Sequence, residues 1–308
     1  MDNYSRRSFL SNPLPLMLGC KAIKSLKAEL RKFNIRYSLS SAMYGEMLLE
    51  DILPEVSKAG CECIDIWCKV HGNQREQITS MGYEKAKILF DRNNVSPAIF
   101  TRYPLGPFGL QEEIKEISKI FGAQIVICGT TGSSELKGKE AKRAVMNFLE
   151  KMKPHVAVAE AAGVKIAVEN HSRQFLYHPD SLRYFGELNK SSHLGIAFAP
   201  HHLHKFAEDI PILIRELGNE NIPFMYFQEH SEGMYKKSSK AIEMKQMPGY
   251  GGSLNYRDIL SSLGHIDYKG YCEIFMHPVP RGIPILPKKK QVTDAILKSK
   301  KYINSLMY

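Results

Sequence analysis

Eight short β-branched runs, each separated from the next by a longer amphipathic stretch, constrain the fold of this 308-residue chain more than any other feature. The runs are Ile35 to Leu39, Cys63 to Trp67, Val95 to Phe100, Gln124 to Cys128, Lys165 to Asn170, Gly195 to Ala199, Pro223 to Gln228 and Tyr271 to Met276. Short apolar runs rich in Val, Ile and aromatics read as buried strands. Helical patterns lie between them, at Leu49 to Ala59, Gly82 to Arg92, Leu110 to Phe121, Lys139 to Ala162, Asp180 to Leu188, Ala207 to Leu217, Tyr256 to Leu263 and Gln291 to Ser305. Gly60, Gly122 and Gly163 stand where helix C-caps are needed. Strands alternating with helices imply parallel pairing through right-handed crossovers. Eight such units fit a closed (β/α)₈ barrel of the α/β class better than a doubly wound sheet. The latter calls for a glycine-rich phosphate loop after the first strand. Here Ser38-Leu-Ser-Ser-Ala-Met-Tyr-Gly45 has one glycine.

The expected division is residues 1–32 as an export leader and basic arm, and residues 33–308 as a single barrel domain. Ser5-Arg-Arg-Ser-Phe-Leu10 has the twin-arginine export pattern, and Met17-Leu-Gly-Cys20 is similar to a lipoprotein cleavage box with Cys20 as the lipidated residue. The protein is therefore expected to be exported, either periplasmic or held at the membrane by a lipid on Cys20. No later segment has the roughly 18 uninterrupted apolar residues of a spanning helix. The formal charge of +10 raises the question of nucleic acid. Lysines and arginines fall instead on the N-terminal arm, on helix faces and in the tail, with no basic stripe interleaved with aromatics, so no nucleic-acid partner is expected. The five cysteines after the leader lack zinc-site spacing and read as buried small hydrophobes.

In a barrel of this kind the active site forms at the C-terminal ends of the strands. Polar residues gather there: Trp67, Arg102, Glu169, His171, His201, His202, Gln228, His230, Glu273 and His277 all lie late in a strand or just beyond it. Glu169 and Glu273 are the most informative, because a carboxylate inside an apolar strand is costly unless paired, hydrogen-bonded or bound to metal.

These residues carry a resemblance. Val168-Glu-Asn-His171, Phe198-Ala-Pro-His-His202, Met225-Tyr-Phe-Gln-Glu-His230, Met247-Pro-Gly-Tyr-Gly-Gly-Ser253 and Glu273 resemble the motifs of the xylose isomerase-like sugar phosphate isomerase/epimerase superfamily over about residues 33 to 306. Phe275-Met-His-Pro-Val-Pro-Arg-Gly-Ile-Pro284 is similar to an exported bacterial subfamily with a twin-arginine leader. The resemblance implies a TIM barrel, and a divalent metal held by a Glu on strand five, an Asp after strand six, a His on strand seven and a Glu on strand eight. This chain departs from it: Ala199 stands where the family has Asp, and Tyr226 or Gln228 where it has His. What remains implies Mn²⁺ or Mg²⁺ on Glu169, Gln228 and Glu273, with His202 as a further ligand.

The resemblance also implies an isomerase or epimerase acting on a sugar or keto sugar, and the expected export favours a non-phosphorylated one. Glu169 and Glu273 are its acid/base pair for proton transfer α to a carbonyl. His171, His201, His202, His230, Trp67, Arg102 and His277 are the expected substrate-binding residues. Two alternatives stand beside this: lyase-type cleavage of a 3-keto-glycoside on the same site, and a degenerate, non-catalytic sugar-binding barrel. The expected partner is a small carbohydrate, with a homo-oligomer left open.

Overall fold

The computed structural model describes residues 33–307. The twin-arginine pattern and Cys20 lie outside the described residues. Eight strands close into one parallel barrel in chain order: β1 (Arg36–Ser40), β2 (Cys63–Trp67), β3 (Ser96–Thr101), β4 (Ile125–Cys128), β5 (Lys165–Glu169), β6 (Leu194–Phe198), β7 (Phe224–Phe227) and β8 (Tyr271–Ile274), with β8 pairing back to β1. This is a (β/α)₈ TIM barrel. Every residue of β2 and β6 is buried, as befits parallel strands covered on both faces.

The outer helices form where the apolar spacing is helical. Along Gln111–Phe121, Ile114 and Ile117 are fully buried while Lys115 and Lys119 face outward, and burying each isoleucine contributes roughly 1.5–3 kcal/mol. Gly122, at φ +66°, ends that helix in the left-handed conformation, and Gly163, at φ +68°, ends Gly138–Ala162 in the same way. Two helices have no counterpart in the sequence reading, Gln74–Met81 and Lys240–Met244.

The pairing register decides what the barrel encloses. Ser40 lies beside Asp65, and Ser38 beside Glu273. Asp65 of β2 and Glu273 of β8 therefore flank β1 on the inside, where alternate strands contribute to one layer of side chains. Above β7 the segment 231–252 is tied down: Glu229 Oε2 accepts the Leu254 N–H at 2.9 Å and Ser231 Oγ donates to the Ile242 carbonyl at 2.7 Å.

Candidate active site

Glu169 is the last residue of β5, and the residue after it organises the mouth of the barrel. Asn170 Oδ1 accepts the Ala199 N–H at 2.7 Å while its Nδ2 donates to the Ala199 carbonyl at 3.0 Å. This two-point clamp pins the end of β6 to the end of β5. The Ala199 carbonyl also accepts the His202 N–H at 3.2 Å, opening the 3₁₀ segment Pro200–Asp209. His201 and His202 are thereby brought beside Glu169. His202 Nε2 lies 3.6 Å from Glu169 Oε1, and one ligand atom from each of Glu169, His201 and His202 falls within 4.8 Å of the others. The His171 ring packs 3.9 Å from that of His202, centroid to centroid.

Charge in this cluster is uneven. Burial raises the proton affinity of the Glu169 carboxyl, but His202, His171 and the Tyr103 hydroxyl outweigh it and hold the group below the usual carboxylate range. Glu169 is thus ionised at neutral pH. Burial and the neighbouring imidazoles push His201 well below its ordinary value, and burial with the adjacent His202 brings His171 down to about 4. Both rings are neutral at pH 7, the form that accepts protons or binds metal.

A cavity of about 600 Å³ opens over this cluster. Of the expected residues, Glu169, His171, His201, His202, Trp67 and His277 line it. Trp67 and Phe275 stack at 4.8 Å with an 11° interplanar angle, and Tyr103 meets the edge of Trp67 at 5.5 Å, so one wall is an aromatic face suited to a sugar ring.

The structure does not bring the other expected residues there. Glu273 is fully buried and absent from the cavity wall. It precedes Phe275 by two residues, on the same side of the chain but deeper in the barrel, and its Oε2 accepts from Ser38 Oγ at 3.2 Å. It lies within reach of the charge of Asp65, which accepts from Thr101 Oγ1 at 2.7 Å. Burial pushes Asp65 up to about 7, and burial with the Asp65 charge pushes Glu273 well above its ordinary value. Asp65 Oδ1, Glu273 Oε1, Ser40 Oγ and Trp67 Nε1 are buried without a hydrogen-bond partner among the described residues. The two glutamates that the sequence pairs across one substrate thus sit in different environments, one at the mouth and one in the barrel interior. Gln228 is turned away as well, its Nε2 donating to Gln246 Oε1 at 3.0 Å. His230 stacks on His204 at 3.5 Å, outside the cavity wall, and Arg102 is in ion-pair contact with Glu113 at 3.0 Å.

A profile of the xylose isomerase-like TIM barrel matches residues 53–301. The chain belongs to that family. Among solved structures, the IOLI protein with a bound zinc atom is similar at 16% identity, covering 89% of this chain and 98% of that one with a TM-score of 0.64. A D-tagatose 3-epimerase-like protein is similar at 17% identity over 88% of this chain and 99% of its own, TM-score 0.61. The 3-keto-D-glucoside 4-epimerase YcjR from E. coli is similar at 12% identity over 88% of this chain and 100% of its own, TM-score 0.62. These likenesses are of fold. A search of curated protein sequences finds no match.

Against the xylose isomerase-like pattern, the residues that could hold a metal in this chain are grouped differently. Ala199 supplies no oxygen, but the next two positions after Pro200 supply imidazoles, so the grouped donors are Glu169, His201 and His202 instead of Glu169, Gln228 and Glu273. One carboxylate oxygen and two imidazole nitrogens, all buried, with His201 Nδ1 unpartnered, fit a divalent transition ion. The sequence reading missed His71, Arg173, Gln174 and Arg281, which also line the cavity. Their shared signal is position in the loops after β2, β5 and β8.

Proposed function

We propose that this protein is a sugar-processing enzyme of the isomerase/epimerase type, in which Glu169 removes a proton α to the carbonyl of a keto sugar. The observation that carries this reading is a buried but ionised carboxylate at the mouth of the barrel, inside a cavity with an aromatic wall. Such a carboxylate is a base held ready at neutral pH. His171 and the Tyr103 hydroxyl lie beside the Glu169 cluster and can hydrogen-bond the enolate oxygen or return the proton. A divalent ion on Glu169, His201 and His202 supplies Lewis-acid polarisation of the substrate carbonyl when bound. The similar epimerases and the zinc-bearing structure support both parts of the reading.

One feature favours the lyase variant of the same chemistry. Glu169 is the one carboxylate lining the cavity among the described residues, so a second carboxylate on the opposite face of the sugar is missing. Elimination of a β leaving group from a 3-keto-glycoside needs one base and one proton donor, which Glu169 and a flanking histidine or Tyr103 provide. The test is exposure of ketoses and 3-keto-glycosides to the enzyme in deuterium oxide. Deuterium at the carbon α to the carbonyl, or release of the aglycone, is the expected result. Neither event with any member of the panel, metal supplied, supports a non-catalytic sugar-binding barrel instead.

A further inference from the structure

The wall of the cavity facing the loops after β5 and β8 carries two arginines and no acid. Arg173 and Arg281 both line the space, and neither forms an ion pair among the described residues. Arg281 is held in place: its two terminal nitrogens donate to the Pro278 carbonyl at 2.6 Å and the Met234 carbonyl at 2.8 Å. Two neutral carbonyls orient the guanidinium without cancelling its charge. Burial, and then repulsion from Arg173, bring Arg281 down to about 10, so it stays cationic at neutral pH while bearing the cost of both. His71, which lines the same cavity, is within reach of the charges of both Arg281 and Glu169.

Arg173 is exposed at the cavity rim and Arg281 is half-buried, so both guanidiniums are open to an anion entering from solvent. We infer that Arg173 and Arg281 form an anion subsite that selects a substrate carrying a carboxylate or a phosphate ester at the end remote from Glu169. This deepens the reading of the cavity as a sugar site and rests on it. Guanidiniums recognise either group through paired N–H donors, and Gln174, whose Oε1 is occupied by Thr130, leaves its amide N–H₂ free to add to them.

The test uses the full chain and small anions, so that it depends neither on sugar stereochemistry nor on turnover. Acetate and inorganic phosphate are titrated at constant ionic strength, with chloride as the balancing ion, and binding is read from the fluorescence of Trp67, the single tryptophan, and by calorimetry. Saturable binding of acetate or phosphate is expected, weakened about tenfold by R173M and by R281K. Arg173 is exposed and makes no side-chain hydrogen bond among the described residues, so R173M breaks none, and R281K keeps the charge while losing the fork. Preference for acetate assigns the subsite to a carboxylate, and preference for phosphate to a phosphate ester. No saturable binding of either anion, or wild-type affinity in both variants, overturns the inference; the latter is also what anions bound at a metal on Glu169 would give. A chain that binds anions in this way yet exchanges no substrate proton keeps the subsite and loses the proposed reaction.

Discussion

Replacing Asp65 with asparagine tests the buried acid pair and should stabilise the protein, with a gain that depends on pH. Asp65 is fully buried and burial pushes it up to about 7 from an ordinary 3.8. At roughly 1.4 kcal/mol per pH unit, ionising it inside the barrel costs about 4 kcal/mol relative to the unfolded chain. Between the ordinary value and about 7 the folded state binds the proton and the unfolded state does not, so stability falls as pH rises through that window and stays low above it. The amide introduced by Asp65→Asn would carry no charge, would still accept from Thr101 Oγ1, and would relieve the repulsion on Glu273. Burying an amide without a full set of partners takes back about 1–3 kcal/mol. The expected net gain is about 1–3 kcal/mol at pH 8, whereas at pH 4.5, where only about 1 kcal/mol of ionisation cost is removed, the variant is expected to lie between equal stability and a loss of about 2 kcal/mol. Urea unfolding at both values, followed by Trp67 fluorescence and circular dichroism, measures it. A variant less stable than wild type at pH 8, or a gain equal at the two values, would refute the assignment of Asp65 as a strained buried acid.

Three further outcomes follow from particular contacts. Asn170→Ala removes both bonds to Ala199 and leaves its buried N–H unpaired while the carbonyl keeps the His202 N–H, at about 1–3 kcal/mol; proton exchange should also drop more than tenfold as the 3₁₀ segment loosens, readable by deuterium incorporation alongside thermal melts. A Cβ at Gly252 would run into the carboxyl group of Glu229, so Gly252→Ala should cost about 1–3 kcal/mol in denaturant titration. His202→Ala should lower the content of divalent metal in purified protein, measured by elemental analysis, whereas Gln228→Ala should leave it unchanged.

All eight strands and the closed barrel were legible in the sequence, because buried parallel strands write themselves as continuous apolar runs and the helices between them show clear stripes. The placement of Glu169 and of the histidines at 171, 201 and 202 at the barrel mouth was legible too, since position at a strand end is a local property. Glu273 was not. Two residues along a strand move a side chain about 6–7 Å toward the interior without changing its face, so alternation alone cannot say whether a carboxylate reaches the mouth or sits a layer below. Phe275, not Glu273, reaches the cavity at the end of β8. Gln228 and Arg102 stay off the cavity wall for a related reason: each sits beyond its strand and contacts a neighbouring loop or helix, a contact with no sequence signature. Arg173 and Arg281 carry no motif, and only the folded loops show that they share a wall.

In the proposed reaction the chemistry rests on Glu169, while Glu273 belongs to the barrel interior. Comparing Glu169→Gln with Glu273→Gln in the deuterium-exchange assay tests this most directly. Glu169→Gln should abolish exchange while remaining folded, and Glu273→Gln should retain exchange within a few-fold and gain stability at alkaline pH. Exchange abolished by Glu273→Gln and preserved in Glu169→Gln, with both variants folded, would contradict the account.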